Sequence, residues 1–282
     1  MPKCLSPRIA IQNSEGAQPH FIKDLDYDFW AKFYGKNNGY PKVLLIPCGK
    51  CSACVQNKSL EWTARLMKEA EEWKYTYFIT LTYDDKHLKD LNKRDLQLFL
   101  KRFRKTTDFD CKYYITGEYG ETTKRPHYHA ILFLNDKIPD LVFYGNNLFT
   151  SETFFSTWKN GQVLISSDVN ERSIKYTIGY TLKKIGESKM TLMSKGLGLK
   201  YLDSKKDDIK FSNGFYLANG FFVNPPSYFM RKIKESSHED DINWLKDFEN
   251  QPRSSVRIDW TIKELVDSLL NEKTKNKGKG VF

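Results

Sequence analysis

The chain has 282 residues, 40% of them hydrophobic and 28% charged. That is enough to bury a substantial core, and no run approaches the ~18 apolar residues of a membrane span. Its first residues, MPKCLSPRIAIQNS, lack the apolar stretch of a secretory signal, so the expectation is a cytoplasmic protein with no membrane partner. A net charge of +10, from 45 basic and 35 acidic residues, favours a polyanionic partner, because each phosphate neutralised releases condensed counterions.

Residues 1–55 read as irregular, punctuated by Gly, Pro and Asn, and end in a cysteine cluster. Residues 57–74 follow as a helix on which Trp62, Leu66 and Trp73 share a face. The run 77–83, YFITLTY, is β-branched and aromatic and predicts a buried strand. Residues 92–105 predict a helix with Leu96, Phe99, Leu100 and Phe103 inward and Lys93, Arg94, Lys101, Arg102 and Arg104 on its other face. Residues 111–117 and 127–134 predict two strands joined by the turn-rich EYGETTKRP. A short helix at 151–159, a strand at 162–166 and a helix at 171–185 complete the series.

The order is β-α-β-β-α-β-α. Its first six elements fit an α+β, ferredoxin-like antiparallel sheet with helices on one face. The expected division is 1–74 for the cysteine-rich segment and first helix, 75–186 for the core, and 187–282 for a C-terminal extension. Within that extension, Asn213-Gly214 and Asn219-Gly220 mark a hairpin region. Residues 240–249 and 260–271 read as short helices, and KTKNKGKG as a disordered basic tail.

His127 and His129 stand one residue apart on a predicted strand, so both imidazoles leave the same face. Paired imidazoles are natural ligands for a divalent cation. Glu118 ends the preceding strand and returns beside them if the two strands form a hairpin. Two histidines and a carboxylate leave coordination positions open for substrate oxygens. Glu121 is the weaker choice of carboxylate, because it falls in the loop. Downstream, SIKYTIGYTLKKIG gathers Tyr176, Tyr180 and Lys183 on one helical face, with Ile174, Ile178, Leu182 and Ile185 opposite.

FITLTY, PHYHAIL and YTIGYTLKK, in that order, resemble the three motifs of HUH-class rolling-circle replication initiators. U denotes a bulky apolar residue, and here it is Tyr128. The tyrosines follow the histidines, as in replication initiators, whereas conjugative relaxases usually carry the tyrosine first. With CGKCSAC, GEYG and the tyrosine pair, the chain looks most like the initiators of small single-stranded DNA phages of the gokushovirus group. The resemblance covers roughly residues 44–200.

The resemblance implies a metal-dependent endonuclease and strand-transfer enzyme acting on single-stranded origin DNA. Glu118, His127 and His129 would hold Mg²⁺ or Mn²⁺. Imidazole suits manganese better, while magnesium is more abundant. Tyr180, the tyrosine of the YxxK match, would cut first and Tyr176 second, with Lys183 favouring the phenolate or binding phosphate. The product would be a 5′-phosphotyrosine link and a free 3′-OH for a host polymerase. With no GxxxxGK[ST] loop in the chain, unwinding would fall to a host helicase or to supercoiling. The competing readings are a non-cleaving single-strand binding protein, a hydrolase using water as nucleophile, and an HUH nuclease of plasmid or transposon type.

Cys48, Cys51 and Cys54 form a tight CxxCxxC loop, and Cys4 can add a fourth thiolate. A structural zinc site, an iron–sulfur cluster and metal-free thiols remain open at this point. Cys111 begins a strand and reads as a core residue.

Overall fold

A computed structural model describes residues 4–14, 16–21, 42–120, 122–182, 190–211, 216–218, 221–223 and 225–250. The chain divides into two compact units, Met1–Cys54 with Lys246–Phe282, and Val55–Leu245.

In the first unit, β1 (Arg8–Gln12) pairs antiparallel with β2 (His20–Phe21) on one side and β3 (Lys42–Ile46) on the other. The expectation of an irregular N-terminal segment is therefore corrected. RIAIQ and KVLLI are too short and show too little alternation to announce strands, and they pair across a long connection that no local pattern encodes.

In the second unit a seven-stranded antiparallel sheet runs in the order β10-β5-β6-β4-β9-β8-β7. Its strands are β4 (Tyr75–Thr82), β5 (Cys111–Tyr119), β6 (Pro126–Leu134), β7 (Leu141–Gly145), β8 (Leu148–Ser151), β9 (Val163–Ser166) and β10 (Met190–Met193). The helices of this region are α1 (Ser52–Glu71), α2 (Lys93–Thr107), α3 (Glu152–Trp158) and α4 (Glu171–Leu182). The strand-helix-strand-strand-helix-strand series β4-α2-β5-β6-α3-β9 is present, and its strands stand in the spatial order β5-β6-β4-β9.

Alternation along the strands makes two cores. On one face Tyr77, Ile79 and Leu81 of β4 and Tyr128, Ala130 and Leu132 of β6 meet Leu96, Phe99 and Phe103 of α2 and Phe154 and Trp158 of α3. On the other face Tyr114, Ile131 and Phe133 meet Leu66 of α1 and Ile174 and Ile178 of α4. Helices on one face thus describes α2 and α3 only. The sheet is covered on both sides, because α1 and α4 each bring an apolar stripe of their own.

α2 is capped at its start by the Asn92 side chain, which accepts from the Arg94 amide, and at its end by Asp108 in the left-handed region. The β7–β8 hairpin was not foreseen. Its turn uses Asn146 and Asn147, both at positive φ, the requirement of a two-residue primed turn.

Beyond the sheet lie α5 (Leu199–Phe211), the paired strands β11 (Tyr216–Ala218) and β12 (Phe221–Val223), α6 (Ser227–Lys234) and α7 (Glu239–Asn250). The two strands flank Asn219-Gly220, where the sequence predicts a hairpin, and α7 covers the helix expected at 240–249. Tyr201, Leu202, Ile209, Phe229 and Ile233 form a third core. The helix expected at 260–271 and the basic tail lie outside the described residues. No helix among the described residues is long and apolar enough to cross a membrane.

Candidate active site

β5 and β6 form the hairpin that the ligand reading requires. Their register sets Glu118 opposite His127 and Thr116 opposite His129, and on the far side β4 sets Thr80 opposite His129. Glu118, His127 and His129 consequently leave the sheet on one face, the one that α1 and α4 cover further along.

The Glu118 Oε1 atom lies 2.7 Å from His127 Nε2 and 3.0 Å from His129 Nε2. Each imidazole is fixed from behind, by the Arg125 carbonyl 3.2 Å from His127 Nδ1 and by Thr80 Oγ1 3.1 Å from His129 Nδ1. With a cation at Nε2, the proton of each ring stays on Nδ1, where these two oxygens accept it. His129 is further held by the stacked ring of Phe78, with centroids 5.5 Å apart. Arg125 is itself anchored, by Asp85 at 2.6 Å and the Tyr83 carbonyl at 3.0 Å.

This donor set fits a divalent cation. Metal–ligand bonds of about 2.1 Å at right angles place neighbouring donors about 3.0 Å apart, and the carboxylate-to-imidazole spacings of 2.7 and 3.0 Å match that edge. Burial pushes the Glu118 carboxyl up, but hydrogen bonds to His127 and His129 outweigh it and hold the group below its ordinary value. The bond to Glu118 raises His127, against the opposing effect of burial. Glu118 is therefore ionised and ready to ligate.

Tyr176 comes from α4 and sets its ring edge-on to His129, with centroids 5.2 Å apart, while remaining 48% exposed. Ile174 and Ile178 on the opposite side of the helix are fully buried, and this anchors Tyr176 toward His129. Tyr180 follows on the same helix, but its side chain lies outside the described residues, as do Lys183 and Glu121. The structure thus brings together Glu118, His127, His129 and Tyr176.

Sequence reasoning passed over Thr80, Phe78 and Gly117. Thr80 and Phe78 share a face of FITLTY, but their meaning depends on β4 being the neighbour of β6. Gly117 stands opposite Tyr128, and a Cβ there would lie 2.9 Å from Leu91 Cδ2 and 3.0 Å from the Tyr128 ring. A tyrosine at the U position is accommodated because the facing residue has no side chain. Its hydroxyl, turned away from Glu118, His127 and His129, accepts the Asn92 amide at 2.7 Å and lies 3.0 Å from the Tyr83 hydroxyl. Tyr83 in turn donates to Asp95 at 2.6 Å.

The cysteines form a separate group within the first unit. The sulfurs of Cys4, Cys48, Cys51 and Cys54 all lie within 4.8 Å of one another. Two of the spacings are 3.8 Å (Cys51 to Cys4) and 4.0 Å (Cys48 to Cys54). Backbone amides point into the group, from Leu5 to Cys51, from Cys48 to Cys4, and from Lys50 and Cys51 to Cys48. The Leu5 and Cys54 amides pull the Cys51 thiol down to about 6. Cys111 lies apart, partly buried at the start of β5, where burial pushes its thiol to about 12.

Residues 76–185 match the family model described as Replication-associated protein ORF2/G2P. The chain is 32% identical to Replication-associated protein VP4 of Bdellovibrio phage phiMH2K, over 71% of this chain and 70% of the relative. It is 30% identical to Replication-associated protein ORF2 of Spiroplasma virus 4, over 76% of each. It is 28% identical to Replication-associated protein ORF4 of Chlamydia phage 1, over 69% of this chain and 55% of the relative. No solved structure matches the chain.

Proposed function

The chain belongs to the family of replication-associated proteins of small single-stranded DNA phages, and from that premise we propose that it is the nicking enzyme that starts and ends rolling-circle replication. The observation that carries this reading is the convergence of Glu118, His127 and His129 with the ring of Tyr176 against His129. The strand order β5-β6-β4-β9 supports an HUH endonuclease core, being the ferredoxin-like order.

A divalent cation held by Glu118, His127 and His129, magnesium or manganese, would supply Lewis acidity toward the scissile phosphate. The chain's own residues do the rest. A tyrosine loses its phenolic proton, its oxygen bonds to phosphorus, and the bond from phosphorus to the 3′ oxygen breaks. The 5′ phosphate stays on the protein and the 3′-OH is released. The phosphodiester energy is retained, so the reverse attack closes a circle without a nucleotide cofactor. Phe78 and the tyrosine face offer rings on which unpaired bases can stack. Lys183 would favour the phenolate or neutralise phosphate charge. The partners are single-stranded origin DNA in the host cytoplasm, a host polymerase at the 3′-OH and a host helicase for unwinding.

Two cuts per cycle need two phenols, and Tyr176 and Tyr180 are one helical turn apart. Tyr180 is assigned the first cut from its YxxK setting. The contact of Tyr176 with His129 favours the reverse order as the specific alternative. Single-stranded phage DNA labelled on the 3′ side of the nick separates the readings, because that fragment stays on the protein through denaturing electrophoresis. Adduct that disappears in Tyr180→Phe and persists in Tyr176→Phe supports the assignment, and peptide mapping of the label to Tyr176 alone reverses it. Cleavage without adduct indicates water as nucleophile. Binding without cleavage leaves a single-strand binding protein.

Zinc is the proposed occupant of the cysteine group. Tetrahedral zinc with Zn–S bonds of about 2.3 Å places its sulfurs about 3.8 Å apart, against 3.8 and 4.0 Å for two of the pairs and no pair beyond 4.8 Å. A disulfide needs about 2.05 Å, and an iron–sulfur cluster sets its own irons and sulfides between the cysteines and spreads them further. Elemental analysis of freshly reduced protein should give one zinc per chain, and Cys51→Ser should lower thermal stability without altering the nicking rate of the folded fraction. Iron in its place, or no metal, would refute the assignment.

A further inference from the structure

The outer face of α2 differs from that of the other helices. Lys93, Arg94, Lys101, Arg104 and Lys105 are all exposed. At about 100° per residue they lie, with Gln97, within an arc of about 120° that runs about 18 Å along the helix. The arc contains no acid. The one acid of the helix, Asp95, is buried and turned inward to Tyr83 and Lys89.

On other helices several surface cations have an acid three or four residues away. Lys68 pairs with Glu71 on α1, Lys175 with Glu171 on α4, Lys205 with Asp208 on α5, and Lys232 with Glu235 on α6. Among the described residues no ion pair involves Lys93, Arg94, Lys101, Arg104 or Lys105. Arg104 instead donates to the Cys111 carbonyl. An unmatched row of like charges raises self-repulsion in the free protein and is relieved by an anionic partner.

The placement of the row says which anion. α2 packs on the face of the sheet that carries Tyr128, and the metal ligands leave the opposite face. The sheet and a helix about 10 Å thick stand between the two, so one nucleotide cannot touch both. The ligand face offers the rings of Phe78 and Tyr176, the equipment for unstacked bases. The exposed arc of α2 offers charge and no ring. That suits a duplex, which presents phosphates outward and keeps its bases stacked.

We propose that the exposed face of α2 is a docking track for the backbone of double-stranded DNA beside the nick site, on the side of the sheet away from the metal ligands. This rests on the nucleic-acid reading above. The protein would then hold the origin at a boundary, with duplex on one face of the sheet and single strand on the other.

The test replaces Lys93, Arg94, Lys101 and Lys105 together with alanine in the full chain. Alanine is the strongest helix former, so α2 keeps its propensity, and circular dichroism checks this. Two probes are compared by fluorescence anisotropy across a salt series, a blunt duplex and a single strand of the same sequence. Adduct formation on single-stranded phage DNA with manganese is measured in parallel.

The expected result is a duplex Kd raised on the order of 10²–10³-fold near 0.15 M salt, with the logarithmic salt slope reduced by about 3 to 4. Single-strand affinity and adduct yield should stay within about threefold of the unchanged chain, because those contacts lie on the other face. An unaltered duplex Kd and slope overturns the proposal. So does an equal loss on both probes, which would make α2 a single-strand contact. If the unchanged chain forms no adduct with any cation, the nicking reading fails, and the duplex comparison still decides the role of α2.

Discussion

On one side of the sheet Tyr77, Ile79, Leu81, Tyr128, Ala130 and Leu132 are sealed under α2 and α3. One residue along in each strand, Phe78, Thr80, His127 and His129 face the other way, beside Glu118. The same few residues of backbone supply a closed core and the candidate ligand set, divided only by the period-two alternation of a strand. Rigidity on the first side positions the chemistry on the second. Tyr128 belongs wholly to the first side, where its hydroxyl ties β6 to the start of α2.

The largest break in this contrast should come from the ligands. His127→Ala, His129→Ala or Glu118→Gln should lower adduct formation on the order of 10³-fold, the equivalent of several kcal/mol of lost charge stabilisation. Single-strand affinity should change little. Full adduct formation by the double histidine variant would disprove the assignment, and the same loss from Glu121→Ala in place of Glu118→Gln would move the carboxylate into the loop.

A smaller effect should follow from Thr80→Val, which keeps the shape and removes the oxygen behind His129. Loss of such a supporting contact typically costs about 10–100-fold in metal affinity. The manganese concentration for half-maximal adduct should rise by that factor, with the plateau recovered at saturation. A lowered plateau with unchanged manganese dependence would mean that Thr80 does not act through His129.

The core face should respond in stability alone. Gly117→Ala drives a methyl into Leu91 and Tyr128 and should cost about 1–3 kcal/mol, read as a lower Tm. Tyr128→Phe leaves the Asn92 amide and the Tyr83 hydroxyl short of a partner and should cost about 1 kcal/mol. At a temperature where both variants remain folded, adduct yield should match the unchanged chain. A specific loss of adduct in Tyr128→Phe would show that the two faces are coupled more tightly than their geometry implies.

Much of this arrangement was legible in the residues. Alternation put His127 and His129 on one face, and the turn-rich EYGETTKRP announced the hairpin that returns Glu118 to them. Helical periodicity turned Tyr176 away from Ile174 and Ile178. The parts that escaped depend on which segment becomes whose neighbour. Thr80 acquires a role only because β4 flanks β6. β1 and β3 pair across a long connection, and the helices on the second face are placed by packing that no window of sequence encodes. The β7–β8 hairpin could have been found, since Gly145-Asn146-Asn147 between short apolar runs is a turn signal.

Glu118, His127 and His129, the three proposed ligands, sit on the single β5–β6 hairpin, and this bears on the order in which the molecule assembles. Closing a short loop takes far less time and entropy than joining distant segments. Glu118 therefore meets His127 and His129 as soon as the hairpin zips, whereas Thr80 and Tyr176 must arrive from separate parts of the chain. A cation binding during folding would encounter the proposed ligands early and Tyr176 late.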